Sequence, residues 1–138
     1  MDKNEILLVE DNAGDAVLIR QILGDASVPV NLHIARDGEQ AVTMLADAHF
    51  RPSLIILDLN IPRITGPALL ERWKSLDVPV VVFSSSLNEN ERERVLALGA
   101  RAFVQKPTDI EGFAAAVCGI VERYSRPGGA ESAGKAGA

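Results

Sequence analysis

Cys118 is the only cysteine among 138 residues. It cannot form an internal disulfide, which fits a reducing compartment. Aromatic residues are nearly as scarce, with one Trp, one Tyr and four Phe, so a core has to be built from Val, Leu, Ile and Ala. Long apolar runs are missing too. After the charged start Met1-Asp2-Lys3-Asn4-Glu5, the apolar stretch spans only Ile6 to Val9. That is too short for a signal peptide or a membrane span. Basic residues are outnumbered, 14 Lys and Arg against 19 Asp and Glu, for a net charge of −5. This balance argues against a general nucleic-acid surface and against anionic membranes as partners. No Gly-rich phosphate loop follows the first apolar run, which disfavours a nucleotide or flavin binder. The expectation is a cytoplasmic protein of one domain, residues 1–124, followed by a disordered Gly/Ala/Ser-rich tail over 125–138.

What is present is an alternation of apolar runs with helical stripes. Ile6-Leu7-Leu8-Val9, Leu54-Ile55-Ile56-Leu57 and Val80-Val81-Val82-Phe83 read as strands buried on both faces, and Ala102 to Gln105 as a further strand. Val30 to Ala35 alternates, with Asn31 and His33 on one side, as an edge strand does. Between them, helical spacing appears at Leu18, Ile19, Ile22 and Leu23, with Gly24 as the stop after a polar turn over Asn12 to Asp15. A second helix starts at Asp37, with Gln40 in capping position, and carries Ala41, Val42, Leu45 and Ala46. Pro67 opens a third, with Leu69, Leu70, Trp73 and Leu76 as its buried face. Asn88 caps a fourth whose apolar content is thin: Val95, Leu96 and Leu98. Thr108 and Glu111 form a capping box for the last helix, striped by Phe113, Val117, Ile120, Val121 and Tyr124. Five strands alternating with five helices give an α/β fold with a doubly wound parallel sheet.

Parallel strands share one carboxyl edge, which is where open sheets of this kind bind ligands. The residues just past the strands are Glu10 and Asp11, Asp58, Ser84 and Lys106. Clustered carboxylates raise one another's pKa unless a cation intervenes. Mg²⁺ suits a shallow, partly hydrated oxygen site. Asp11 and Asp58 would ligate it directly, the Asn60 main-chain carbonyl would be a third ligand, and Glu10 would reach it through water. An ionised Asp58 is then a nucleophile towards a phosphoryl group, whose oxygens the metal, Lys106 and the Ser84 hydroxyl would neutralise.

These motifs, in this order, resemble the receiver domain of two-component response regulators over about residues 4 to 124. Val9-Glu10-Asp11-Asn12 is similar to the family's acidic pair, Asp58-Leu59-Asn60-Ile61-Pro62 with Gly66 to its phosphoacceptor loop, and Lys106-Pro107 to its Lys-Pro pair. Ser84 falls at its Ser/Thr position and Phe103 where it carries a switching aromatic. The resemblance implies a flavodoxin-like sheet of strand order 2-1-3-4-5, as in a chemotaxis regulator of this type, and a cis bond before Pro107. It implies phosphorylation of Asp58 by a histidine kinase, a histidine phosphotransfer protein or a small phosphodonor. Ser84 and Phe103 would then rearrange the face made by the fourth helix, fifth strand and fifth helix. Homodimers through that face are common among such proteins. The start Leu8 to Asn12, with Asp15 and Leu18-Ile19, resembles the stand-alone regulators found beside bacterial phytochromes. No helix-turn-helix or catalytic output domain is legible, so output is expected through protein contact or phosphate relay, without turnover of a separate substrate.

Plainer readings compete at several positions. Ser84 lies in a serine run, and its choice over Ser85 and Ser86 rests on family spacing. Phe103 reads equally as core. His33, His49, Cys118 and Trp73 read as structural or surface residues, and Glu91 to Arg94 as a solvated face that overlaps the output surface. Two other functions remain open. One is a Mg²⁺-dependent phosphohydrolase with an Asp nucleophile, which is disfavoured because the second acid such enzymes carry two residues on is here Asn60. The other is a phosphorylation-independent scaffold, against which the full acid, Ser and Lys set argues.

Overall fold

The computed structural model describes residues 4–85 and 88–125. Its elements run β1 (Asn4–Val9), α1 (Ala13–Asp25), β2 (Val30–Ala35), α2 (Gly38–Ala46), β3 (Leu54–Leu57), α3 (Gly66–Arg72), β4 (Val80–Ser84), α4 (Glu89–Ala97), β5 (Ala102–Gln105) and α5 (Ile110–Tyr124). The strands form one parallel sheet in the order β2-β1-β3-β4-β5. β2, the one strand with alternating polar residues, lies at an edge, as its pattern predicts. There Asn31 and His33 both reach Glu5 on β1, at 2.7 and 2.6 Å.

Alternation along the central strands splits the core into two layers. Ile6, Leu8, Leu54, Ile56, Val81 and Phe83 pack against α1 and α5, through residues such as Ile19, Leu23, Phe113 and Val117. Leu7, Val9, Ile55, Leu57 and Val82 face the other way, towards Ala41, Leu69, Trp73 and Val95 of the α2–α3–α4 side. Both faces of the sheet are thus buried, which is why these strands read as unbroken apolar runs.

Register delivers the functional groups. Val9 aligns with both Ala35 and Leu57. The Glu10 N–H donates to the Ala35 carbonyl at 2.9 Å and the Asp58 N–H to the Val9 carbonyl at 3.0 Å, so both acids leave the sheet at one level. On the far side, the Lys106 N–H donates to the Ser84 carbonyl at 2.8 Å.

Several local expectations shift. Asn12 to Asp15 is not a free turn. Asn12 caps α1 by accepting from the Asp15 N–H, which puts Asp15 in the first helical turn. Gly24 does not end that helix; the chain reverses at Ser27, which takes φ 57. α5 is capped by Asp109, accepting from the Gly112 N–H, rather than by Thr108. An Asp carboxylate is at least as good a cap as a Thr hydroxyl, so the start slides by one residue. Leu76 lies beyond the end of α3 and is exposed, while Trp73 is buried at its C-cap. Among the described residues no peptide bond is cis, so Lys106–Pro107 is trans, the isomer that an X–Pro bond intrinsically favours. Ser125 is folded and not tail: it is buried, donates to the Val121 carbonyl and accepts from Asn4. The rest of the expected tail, from Arg126 on, and Ser86 lie outside the described residues.

Gly38, first in α2, abuts the loop that follows β3. A Cβ there would stand 2.7 Å from Ile64 Cβ and 2.9 Å from its carbonyl oxygen. The Gly38 N–H donates to the Pro62 carbonyl, and Asp37 faces Arg63 at 3.5 Å. The α2 N-terminus therefore braces the segment carrying Asn60 to Thr65.

Candidate phosphoacceptor site

Three strand ends and one helix start meet at the carboxyl edge of the sheet. β1 delivers Glu10, β3 delivers Asp58, β5 delivers Lys106, and the first turn of α1 delivers Asp15. The Lys106 ammonium lies 2.8 Å from Glu10 Oε1, 2.8 Å from Asp15 Oδ2 and 3.0 Å from Asp58 Oδ2. An ammonium has three N–H donors, and each has a carboxylate partner. Phe83 lies beneath, its ring centroid 5.8 Å from Nζ, so the cation sits against an aromatic face as well as among acids. Lys106, Asp58 and Glu10 are all buried, Glu10 to 1 % exposure.

One ammonium does not balance this many acids. Burial pushes Glu10 up to about 7, and the neighbouring Asp58 adds to the rise, while Lys106 holds it back. Burial acts in the same direction on Asp58. There, the hydrogen bond from Glu10, the Asn60 N–H on Oδ1 at 2.9 Å and the Lys106 charge outweigh it and leave Asp58 below the usual carboxylate range. Burial would lower the Lys106 pKa, but Asp15, Glu10 and Asp58 together raise it, so the ammonium stays charged. The two carboxyls share one environment and titrate as a pair. The more deeply buried Glu10 carries the late proton, and Asp58 is the carboxyl that stays ionised.

This asymmetry has a consequence for stability. In the unfolded chain Glu10 ionises near 4.5; in the folded protein it does so at about 7. Between those values the folded state holds a proton that the unfolded state has released, so metal-free stability falls as pH rises from about 5 to 8. Glu10→Gln removes that slope and stabilises the metal-free protein at pH 8 by on the order of 2 kcal/mol. Urea unfolding in EDTA at pH 5 to 8 reads this directly; parallel slopes for the two proteins would refute it.

The remaining expected residues take up different positions. Asp11 is exposed at the mouth of the cavity above Asp58, a space of about 270 Å³ that Asn60 and Ser85 also line. Ser84 does not line that cavity. It is fully buried as the last residue of β4, and the exposed hydroxyl on the cavity belongs to Ser85. Phe103 is half-buried on the α2–α3–α4 side and pairs with Val82. By strand alternation Ser84 points to that same side. Asp15 is the residue that sequence reasoning missed. Its signal was available, because a helix that follows a strand begins at the carboxyl edge, and a first-turn acid therefore faces the strand ends.

The donor set suits a hard divalent cation. It is all oxygen, carries excess negative charge and includes neither His nor Cys. Among the described residues no group of three acids, His or Cys is arranged to hold a metal ion by itself; Glu10, Asp15 and Asp58 converge on the Lys106 ammonium instead.

Known proteins resemble this chain in sequence and in fold. Residues 6–118 match the response regulator receiver domain family. Response regulator Rcp1 of a Synechocystis species is 32 % identical over 124 residues, covering 83 % of this chain and 84 % of that protein. The transcriptional regulatory protein PhoP of Escherichia coli is 33 % identical over 122 residues, and the chain spans only 53 % of its length. Among solved structures, the phosphorylated cyanobacterial phytochrome response regulator RcpA is 35 % identical with a TM-score of 0.81, over 88 % of this chain and 94 % of that one. The Mn²⁺-bound form of Rcp1 is 30 % identical with a TM-score of 0.80, over 89 % and 95 %. The chain belongs to the response regulator receiver domain family, and it is a phosphorylatable switch of a two-component system.

Proposed function

We propose that Asp58 is the phosphoacceptor and that Lys106 neutralises the incoming phosphoryl oxygens. The observation that carries this reading is the buried ammonium 3.0 Å from the buried Asp58 carboxylate, opening on a cavity walled by further acids. An Asp58 oxygen forms a bond to phosphorus as the donor's P–N bond, in a phosphohistidine, or P–O bond, in acetyl phosphate, breaks. The electron pair leaves with the imidazole or the acetate. Mg²⁺, held by Asp11, Asp58 and the Asn60 main-chain carbonyl with Glu10 through water, would supply charge neutralisation to the phosphoryl oxygens. The product is an acyl phosphate, labile enough for a signal.

The donor is a histidine kinase or a histidine phosphotransfer protein, and the likeness to RcpA favours a phytochrome-type kinase. The state of Asp58 passes through Ser84 and Phe103 to the α4–β5–α5 face. That face reports by protein contact, homodimerisation or phosphate relay, in the cytoplasm, without nucleic acid or membrane and without turnover of a separate substrate. α4 suits a face that rearranges, since Val95 is its one buried residue. Beryllofluoride with Mg²⁺ should shift the backbone amide resonances of Ser84, Phe103 and α4 while those of β2 stay in place. Resonances around Ser84 and Phe103 that do not move would reject the switch.

A further inference from the structure

Lys106 has no free donor, yet the phosphoryl group needs one. Its three partners are not equivalent. Glu10 and Asp58 leave strand ends whose backbone is held in the sheet at 2.9 and 3.0 Å. Asp15 comes from the first turn of α1, and its side chain is 30 % exposed. It also stands between two cavities. One is the space above Asp58. The other, about 240 Å³, lies under Pro107, Ile110 and Phe113, and both have Asp15, Ser85 and Lys106 in their walls. Asp15 can therefore swing away without unmaking any backbone contact, whereas Glu10 is 1 % exposed and borders only the first of the two cavities. It also places a negative charge on the same ammonium that a dianionic phosphoryl group must claim.

We propose that Asp15 is a positioning residue that holds the Lys106 ammonium in the unphosphorylated protein and is displaced from it by the phosphoryl oxygens. This rests on Asp58 as phosphoacceptor and adds a competitor to it. Asp15 raises the threshold for phosphorylation: the site prefers its own carboxylate until a phosphoryl group and its metal arrive together. Removing the charge favours the phosphorylated state, because no anion then has to leave and none repels the phosphoryl group.

Beryllofluoride titration of the full chain at saturating Mg²⁺, with Asp15→Asn and Asp15→Glu beside wild type, tests this. Asp15→Asn should bind about three- to fivefold tighter, with the gain shrinking at high salt because it is Coulombic. Asp15→Glu should return to the wild-type affinity. In metal-free protein the ¹⁵N resonance of the Lys106 ammonium should move in Asp15→Asn and stay near the wild-type position in Asp15→Glu. An affinity in Asp15→Asn that is unchanged or weaker, or an ammonium resonance that ignores the substitution, overturns the proposal. Wild type that binds no beryllofluoride overturns the phosphoacceptor reading along with it, so the two failures are distinguishable.

Discussion

Asp58→Ala abolishes labelling by acetyl phosphate. Wild type with Mg²⁺ and acetyl phosphate should give a retarded band on a phosphate-affinity gel, and hydroxylamine should erase it, as it erases any acyl phosphate. The variant should give no band at all. The neighbouring carboxyls are poorer acceptors than Asp58. Glu10 is more deeply buried than Asp58, at 1 % against 6 % exposure, so a phosphoryl donor reaches it less readily. Asp11 is exposed at the cavity mouth, and the Lys106 ammonium lies on Glu10, Asp15 and Asp58. A hydroxylamine-resistant band would mean a serine ester and would move the chemistry to Ser84 or Ser85. A labile band that persists in Asp58→Ala would remove Asp58 from the site. Circular dichroism of the variant separates lost chemistry from lost fold.

Lys106→Met has the second large effect, and it has two parts. Without the ammonium, Glu10 at 1 % exposure and Asp58 at 6 % are left as neighbouring buried carboxyls with no cation. Breaking a buried ion pair from one side costs about 3–5 kcal/mol, and that is the expected loss of metal-free stability at pH 8. The loss should be much smaller at pH 5, because Glu10 is then protonated in the folded state and no second charge is stranded. Adding Glu10→Gln to Lys106→Met should recover part of the stability at pH 8 and none of the labelling rate. That rate should fall about a hundredfold or more, as when a preorganised charge is taken from a developing oxyanion. Equal destabilisation at pH 5 and pH 8 would show that Lys106 acts through packing on Phe83 rather than through charge.

Most of the architecture is legible in the residues because the sheet is buried on both faces. Leu54 to Leu57 and Val80 to Phe83 admit few other readings, and the alternation at Asn31 and His33 marks β2 as an edge. That Glu10, Asp58 and Lys106 meet at one edge was legible for the same reason, since a strand end fixes where the next side chain emerges. What escaped depends on geometry finer than a pattern. Asp109 rather than Thr108 caps α5 because two neighbouring side chains both offer a cap and only the backbone decides between them. Leu76 fits the helical stripe of α3 but lies past its end, where period alone cannot tell. Asp15 was hidden because the turn it was assigned to is already helix. The choice between Ser84 and Ser85 is likewise one of side-chain direction, which a run of identical residues conceals.

The hydrogen bond between Asn4 and Ser125, at 3.2 Å, bears on how this switch can be connected. It ties the first described residue to the last, at the foot of β1, about 20 Å of strand below the carboxylates. Asn4 and Ser125 therefore both lie at the pole opposite Asp58. The chain thus enters and leaves the described fold side by side at one pole of the sheet, and the cavity above Asp58 opens at the other.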